Sequence, residues 1–290
     1  MNKKSPKIRF KGFTDDWEQR KLGELASFSK GAGYTKGDLK TTGKPIILYG
    51  RLYTKYETVI ENVDTFVDEK EKSVISAGNE IIVPASGETS EDISRASVVA
   101  KPGIILGGDL NIVKPNTEID ASFLALTISN GRQQKELSKK AQGKSVVHLH
   151  NSDLKEVNLV FPQKEEQTEI GHFFRQLDAT ITLHQEAIQR QQYLKKALLQ
   201  KLFPVNGEGI PTVRFATFKE EWEQRKLSEM TEYKNGKGHE DKQRTHGKYE
   251  LINLNSISID GGLKHSGKYI DDANETLMIL FSVCERQLVM

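Results

Sequence analysis

From residue 26 to about residue 160 the chain alternates short apolar runs with glycine-rich or polar turns. The runs 45–49, 80–83, 96–99, 104–106 and 111–113 are rich in β-branched residues and bounded by glycine or proline, which predicts strands. Over residues 120–139 the period changes. Phe123, Leu124, Leu126 and Ile128 stand ahead of a Gln/Lys-rich stretch, which predicts a helix. Together these features describe an α/β or α+β globular domain with many loops.

The segment 163–202 differs in kind. Its inward positions step by four and three through Ile170, Phe174, Leu177, Ile181, Ile188, Leu198 and Leu202, with His184, Gln191 and Lys195 filling the middle. That is a heptad seam with apolar ends and a polar centre. Glu165, Glu166 and Glu169 crowd its start and Lys195, Lys196 and Lys201 its end, the order that the helix dipole favours. Pro204 and Gly207 close it. A helix of about 40 residues extends about 60 Å at 1.5 Å per residue. A compact neighbour does not cover a seam of that length throughout. The alternatives are a helix folded back on its own domain and, as the expected reading, half of an antiparallel coiled coil whose second long helix comes from another chain.

A long-range repeat is also present. Residues 6–25 read PKIRFKGFTDDWEQRKLGEL, and residues 211–230 read PTVRFATFKEEWEQRKLSEM. Trp17 and Trp222 stand 205 positions apart (222 − 17), and the same offset relates Arg9 to Arg214, Phe10 to Phe215 and Phe13 to Phe218. A period this long marks a duplicated domain-sized unit, since solenoid repeats run to about 20–50 residues. The expected division is a first domain over 1–160, the long helix over 161–205 and a partial second domain over 206–290. The two tryptophans, at a domain edge inside a repeated motif, are expected to pack structurally.

Composition adds mainly exclusions. A formal charge of +2 and a pI near 8.4 permit nucleic-acid binding only where Lys and Arg gather on one face. The single cysteine, Cys284, rules out an internal disulfide framework and a multi-cysteine zinc site. The basic N-terminus leads into no apolar stretch and no window reaches the length of a membrane span, so a cytoplasmic location is expected. Gly143-Lys144-Ser145 lacks the upstream glycine of a phosphate-binding loop, and Gly31-Ala32-Gly33 lacks the third glycine of a dinucleotide fingerprint. His148 and His150 stand in no recognisable metal pattern. A catalytic or metal site is not expected.

The order of motifs then carries a resemblance. An Arg-Phe…Phe…Trp…Leu motif precedes an α/β domain. Phe161-Pro162-Gln163-Lys164-Glu165-Glu166-Gln167-Thr168-Glu169-Ile170 follows, the long helix ends at Leu198-Leu199-Gln200-Lys201-Leu202-Phe203-Pro204, and the first motif then recurs. This resembles the specificity subunit of Type I restriction-modification systems, with a truncated second half. The segments 86–89 and 141–149 look like parts of one class of its target-recognition domain. The resemblance implies a non-catalytic, sequence-specific DNA-binding subunit with two recognition domains held apart by two antiparallel spacer helices. It implies double-stranded DNA, adenine-methyltransferase subunits and restriction/translocase subunits as partners, with S-adenosylmethionine, ATP and Mg bound by those partners. Here the second spacer helix is missing, so a second specificity chain is expected to pair through the long helix. The alternative is an interaction module that docks methyltransferase subunits without reading a full bipartite site.

Candidate DNA contacts combine cations with glycine, hydroxyl or aromatic side chains. Lys30, Tyr34 and Lys36 flank a glycine turn that lets the backbone approach a phosphate. Arg51, beside Tyr53, is able to grip guanine with its fork. Ser86, Glu88 and Thr89 offer hydroxyls and a carboxylate that accepts from cytosine, and Lys144, Ser145 and His148 add further polar contacts.

Overall fold

The computed structural model of the chain describes residues 5–141, 143, 146–205, 207–233, 239–259 and 262–271. The chain divides into two compact units, Met1–Ala197 and Leu198–Met290.

The first unit opens with β1 (Glu18–Lys21), α1 (Leu22–Leu25) and β2 (Ala26–Lys30). Next come β3 (Lys44–Ile47), α2 (Arg51–Thr54), β4 (Val59–Ile60) and β5 (Phe66–Val67). The strands β6 (Glu80–Pro84), β7 (Ser86–Gly87), β8 (Ser97–Val99), β9 (Ile105–Leu106) and β10 (Leu110–Pro115) follow. After them stand α3 (Ala121–Ser129), α4 (Gly131–Lys140), β11 (Val147–His148), α5 (Asn151–Lys155), β12 (Asn158–Phe161) and the long helix α6 (Lys164–Leu202).

The central sheet runs β2-β10-β6-β8-β4, antiparallel except for the parallel β4–β8 edge. Successive residues of a strand face opposite sides, and here both sides are covered. Ile81, Val83, Val98 and Val113 enter the larger core with Leu22, Leu25, Phe123, Leu124, Leu137, Leu154 and Leu159. Their neighbours Ile82, Val99 and Ile112 enter a second core with Ile47, Leu52, Ile60 and Leu106. This is why β6 reads as an unbroken apolar run. A smaller sheet, β5-β3-β9, lies beyond the second core.

The helix expected over 120–139 is two helices. Asn130 is extended, its side-chain amide donates to the Leu126 carbonyl at 2.9 Å, and Gly131 sits at φ 71, so the chain turns between α3 and α4. Glycine accepts that positive φ without a steric penalty.

The start of α6 is fastened to the domain by the residues that read as Glu-Gln in the sequence. The buried Glu166 carboxylate takes a two-pronged pair from Arg9, with Arg9 Nε donating at 2.8 Å and Nη2 to the second oxygen. Gln167, also buried, accepts from the Asp120 N–H at 2.9 Å and donates to the carbonyls of Glu118 at 3.0 Å and Pro162 at 2.9 Å. Asp120 in turn caps α3 by accepting from the Phe123 N–H. Phe10 packs edge-on against Phe173 and Trp17 edge-on against Phe123, the structural role expected of Trp17. Ile170 still touches the larger core. Farther along, Phe174, Leu177, Ile181, Ile188 and Leu198 are all 38–57% exposed, and Leu202 is half-buried.

In the second unit, the repeated motif folds back on the end of α6. The Val213 N–H donates to the Lys201 carbonyl and Trp222 stacks edge-on against Phe203. A short helix α7 (Leu227–Met230) and the pair β13 (Tyr249–Glu250) and β14 (Tyr269–Ile270) follow.

Candidate nucleic-acid interface

Backbone hydrogen bonds draw four segments to one end of the central sheet. The Gly31 N–H donates to Leu110 O and Ala32 N–H to Leu106 O, both at 3.0 Å. A Cβ on Gly31 would stand 1.9 Å from the Gly107 carbonyl oxygen, so this approach requires glycine. The Ala85 N–H donates to Asp109 O at 2.7 Å, with Asp109 in the left-handed region at φ 58, and the Ser86 hydroxyl reaches the Asp109 carboxylate at 3.2 Å. Pairing of β11 with β7 sets His148 opposite Ser86. Asn111, buried in β10, donates to Leu149 O at 2.8 Å, and Asn151 donates to Ser29 O at 2.8 Å. Segments 29–32, 85–87, 107–111 and 147–151 thereby form one continuous edge.

The expected contact residues divide over and beneath this edge. Lys30 and Lys36 are exposed and form no ion pair among the described residues. His148 is exposed, and its ring lies parallel to that of His150, with centroids 6.3 Å apart and planes 2° apart. Glu88 is exposed beside the β7–β11 pair. Lys144 and Ser145 lie outside the described residues.

Other expected contacts have their polar groups engaged within the protein. Tyr34 is buried; its hydroxyl shares a hydrogen bond with Ser73 and accepts from the Lys70 N–H at 2.7 Å. Lys70 Nζ lies 4.4 Å from the Tyr34 ring centre and 2.7 Å from Asp38. The Lys70 ammonium, helped by the Thr35 N–H and hydroxyl, holds the Asp38 carboxyl down at about 2. Burial pushes the Tyr53 phenol well above its ordinary range, so it stays protonated and donates to Ser86 O at 2.8 Å. The Thr89 hydroxyl is engaged with the Asp92 carboxylate and backbone.

Arg51 requires a correction. Its side chain is 8% exposed and its fork is occupied, with Nη1 on Asp64 at 2.8 Å and Nη2 on Glu57 at 2.7 Å. It fastens α2 to the turn before β5, and its remaining donor, Nε, is buried and unpartnered, so it presents no exposed donor to a base.

Sequence reading missed Asp109 and Asn151 as parts of the edge, together with the exposed cations Arg132, Lys135 and Lys139 on α4. Their signal was weak, because only strand pairing brings 109 and 151 beside 86. Among the described residues, no group of three or more His, Cys, Asp or Glu is placed to hold a metal ion. No described helix is long and apolar enough to cross a membrane.

Residues 14–192 match the family described as the Type I restriction modification DNA specificity domain, well over half of the chain. The chain belongs to this family. Among curated proteins, the Type I restriction enzyme MjaVIII specificity subunit of Methanocaldococcus jannaschii is 20% identical over 233 residues, covering 77% of this chain and 51% of that protein. Among solved structures, the Type-I restriction-modification S subunit from M. genitalium aligns with a TM-score of 0.50 at 18% identity, covering 71% of this chain and 50% of that one. The HsdS subunit from Thermoanaerobacter tengcongensis aligns at 0.42 and 16% identity, over 69% of this chain and 47% of that one. This Type I specificity chain thus spans about half the length of the relatives it matches. The first solved likeness shows the fold, a mixed α/β domain followed by a long helix. The edge around Ser86 and His148 and most of α6 fall inside the family match.

Proposed function

We propose that the first unit reads one half of a split duplex DNA site through the edge built from 29–32, 85–89 and 147–151. Lys30 and Lys36 neutralise phosphates, giving sequence-blind, salt-dependent affinity. His148 and His150, with Glu88, supply donors and acceptors to base edges. The observation that supports this reading is the exposed Lys30, without an ion pair among the described residues, on the same edge as the exposed, parallel imidazoles of His148 and His150 in a family-assigned specificity domain.

The exposed seam of α6 supports the second part of the proposal. Two copies pair through α6 in antiparallel fashion, setting the acidic start of each helix beside the Lys196 and Lys201 end of the other. The pair presents two reading edges, directs adenine-methyltransferase and restriction/translocase subunits to the site, and leaves S-adenosylmethionine, ATP and Mg to those partners. The runner-up reading, an interaction module that docks methyltransferase subunits without reading a full bipartite site, draws on the same seam.

The test is duplex selection from a random pool by the chain assembled with its methyltransferase, followed by anisotropy at several salt concentrations. His148→Ala is expected to weaken the selected duplex about tenfold, the scale of one lost base contact, and random duplex far less. Lys36→Ala is expected to weaken both alike and to lower the salt slope by about 0.9. Equal losses for His148→Ala on both duplexes would remove it from base reading. Failure to enrich any duplex while the methyltransferase still binds favours the runner-up.

A further inference from the structure

The two copies of the repeated motif have the same local shape and opposite surroundings. In the first, Arg9 Nη1 donates to the Asp15 carbonyl and the Phe13 N–H to the Phe10 carbonyl. In the second, Arg214 Nη1 donates to the Glu220 carbonyl and the Phe218 N–H to the Phe215 carbonyl, the same two bonds displaced by 205 positions. The first copy then spends the rest of its guanidinium on Glu166 and its phenyl ring on Phe173. The second has no such seat among the described residues. Arg214 Nε and Nη2 have no partner there, and Phe215 is 71% exposed where Phe10 is 37% exposed. Leu227 and Met230 are 70% and 64% exposed, while their counterparts Leu22 and Leu25 are 1% and 0% exposed.

We propose that residues 211–218 dock on the start of α6 in a second copy of the chain, taking the seat on Glu166 and Phe173 that residues 6–13 of that copy otherwise fill. The occupant follows from chemistry. The seat is a buried carboxylate accepting a forked pair, with an aromatic ring two helical turns farther along, and Arg214-Phe215 repeats the Arg-Phe that fits it. Placement agrees, on the antiparallel pairing proposed above. The second motif is tied to the end of α6 through Val213 on Lys201 and Trp222 on Phe203, and antiparallel pairing puts that end beside the partner's helix start. Ile8 in the resident motif is 90% exposed, so exchange there uncovers no buried side chain. Exchange fastens the two copies at both ends of the helix pair.

Cross-linking tests this. Chains carrying Cys284→Ser receive either Phe173→Cys or Phe215→Cys, are mixed, and are treated with a short bis-maleimide while light scattering reports the mass. A single chain with both Phe10→Cys and Phe173→Cys calibrates the linkage. A covalent Phe173→Cys/Phe215→Cys dimer is expected, falling at least tenfold when Arg214→Ala is added to the second chain. Its yield is expected to rise severalfold when Arg9→Ala and Phe10→Ala empty the seat. A two-chain mass without this cross-link, or a yield indifferent to Arg214→Ala, overturns the exchange and leaves helix pairing standing. A one-chain mass without the cross-link overturns both.

Discussion

Gln167 offers the sharpest test of how the long helix is fastened. Its amide makes three hydrogen bonds, to Asp120 N–H, Glu118 O and Pro162 O, all between 2.9 and 3.0 Å and away from water. Gln167→Ala removes all three. At about 1 kcal/mol net for each hydrogen bond the loss is about 3 kcal/mol, and the space left by the side chain adds to it. For a unit of this size, 1 kcal/mol shifts the melting midpoint by about 2–4 °C, so a fall of about 6–12 °C is expected in a calorimetric or circular-dichroism melt. Gln167→Glu refines the test. It keeps the shape but turns two donated bonds into carboxylate–carbonyl repulsion and buries a charge. Burial raises the new carboxyl's folded pKa above its unfolded value near about 4.3, so the variant loses stability as pH rises from there toward the folded pKa. Its midpoint therefore lies closer to wild type at pH 4.5 than at pH 7.5. A Gln167→Ala midpoint within about 2 °C of wild type would refute the clamp.

Three further outcomes follow from the geometry. Gly31→Ala sets a methyl against the Gly107 carbonyl, so it should lower the melting midpoint and weaken selected and random duplex together in anisotropy. Asp38 is depressed in the folded state, so its contribution is present above its ordinary pKa and is lost as pH falls toward about 2. The difference in midpoint between wild type and Asp38→Asn should accordingly shrink between pH 5 and pH 2. Arg51→Ala should lower stability without changing the salt slope of DNA binding, and the Asp64 carboxyl, held low first by its bond from Arg51, should titrate higher in carboxyl-resolved NMR.

The parts of the fold that depend on periodicity were legible in the chain. The strand runs at 45–49, 80–83, 96–99, 104–106 and 111–113 overlap β3, β6, β8, β9 and β10, with 48–49 lying past the end of β3, and the heptad run falls in α6. The break at Asn130-Gly131 was not, because it depends on one positive φ and one side-chain bond inside an otherwise helical composition. Loop chemistry misled at Arg51. A cation between glycine and tyrosine reads as an outward contact, yet its carboxylate partners Glu57 and Asp64 lie 6 and 13 residues on and meet it only after the turn closes. Tyr34 and Tyr53 read as companions of neighbouring cations in contact loops, yet their hydroxyls are engaged internally, on Ser73, Lys70 and Ser86. Asp109 and Asn151 needed the register of β7 against β11 to become neighbours of the edge.

The coverage of β6 on both faces has a bearing on how such a chain changes over time. Burial is concentrated in Ile81, Ile82, Val83 and their two sets of neighbours, whereas His148 and Glu88 reach solvent at a two-residue strand pair, Lys30 at the end of β2 and Lys36 from a short turn. Solvent-facing positions of that kind typically shift stability by no more than about 0.5 kcal/mol when replaced. Side chains on the edge are therefore free to drift while the scaffold stays intact, and on the reading proposed above a change of target sequence would need only a few substitutions and no unfolded intermediate genotype.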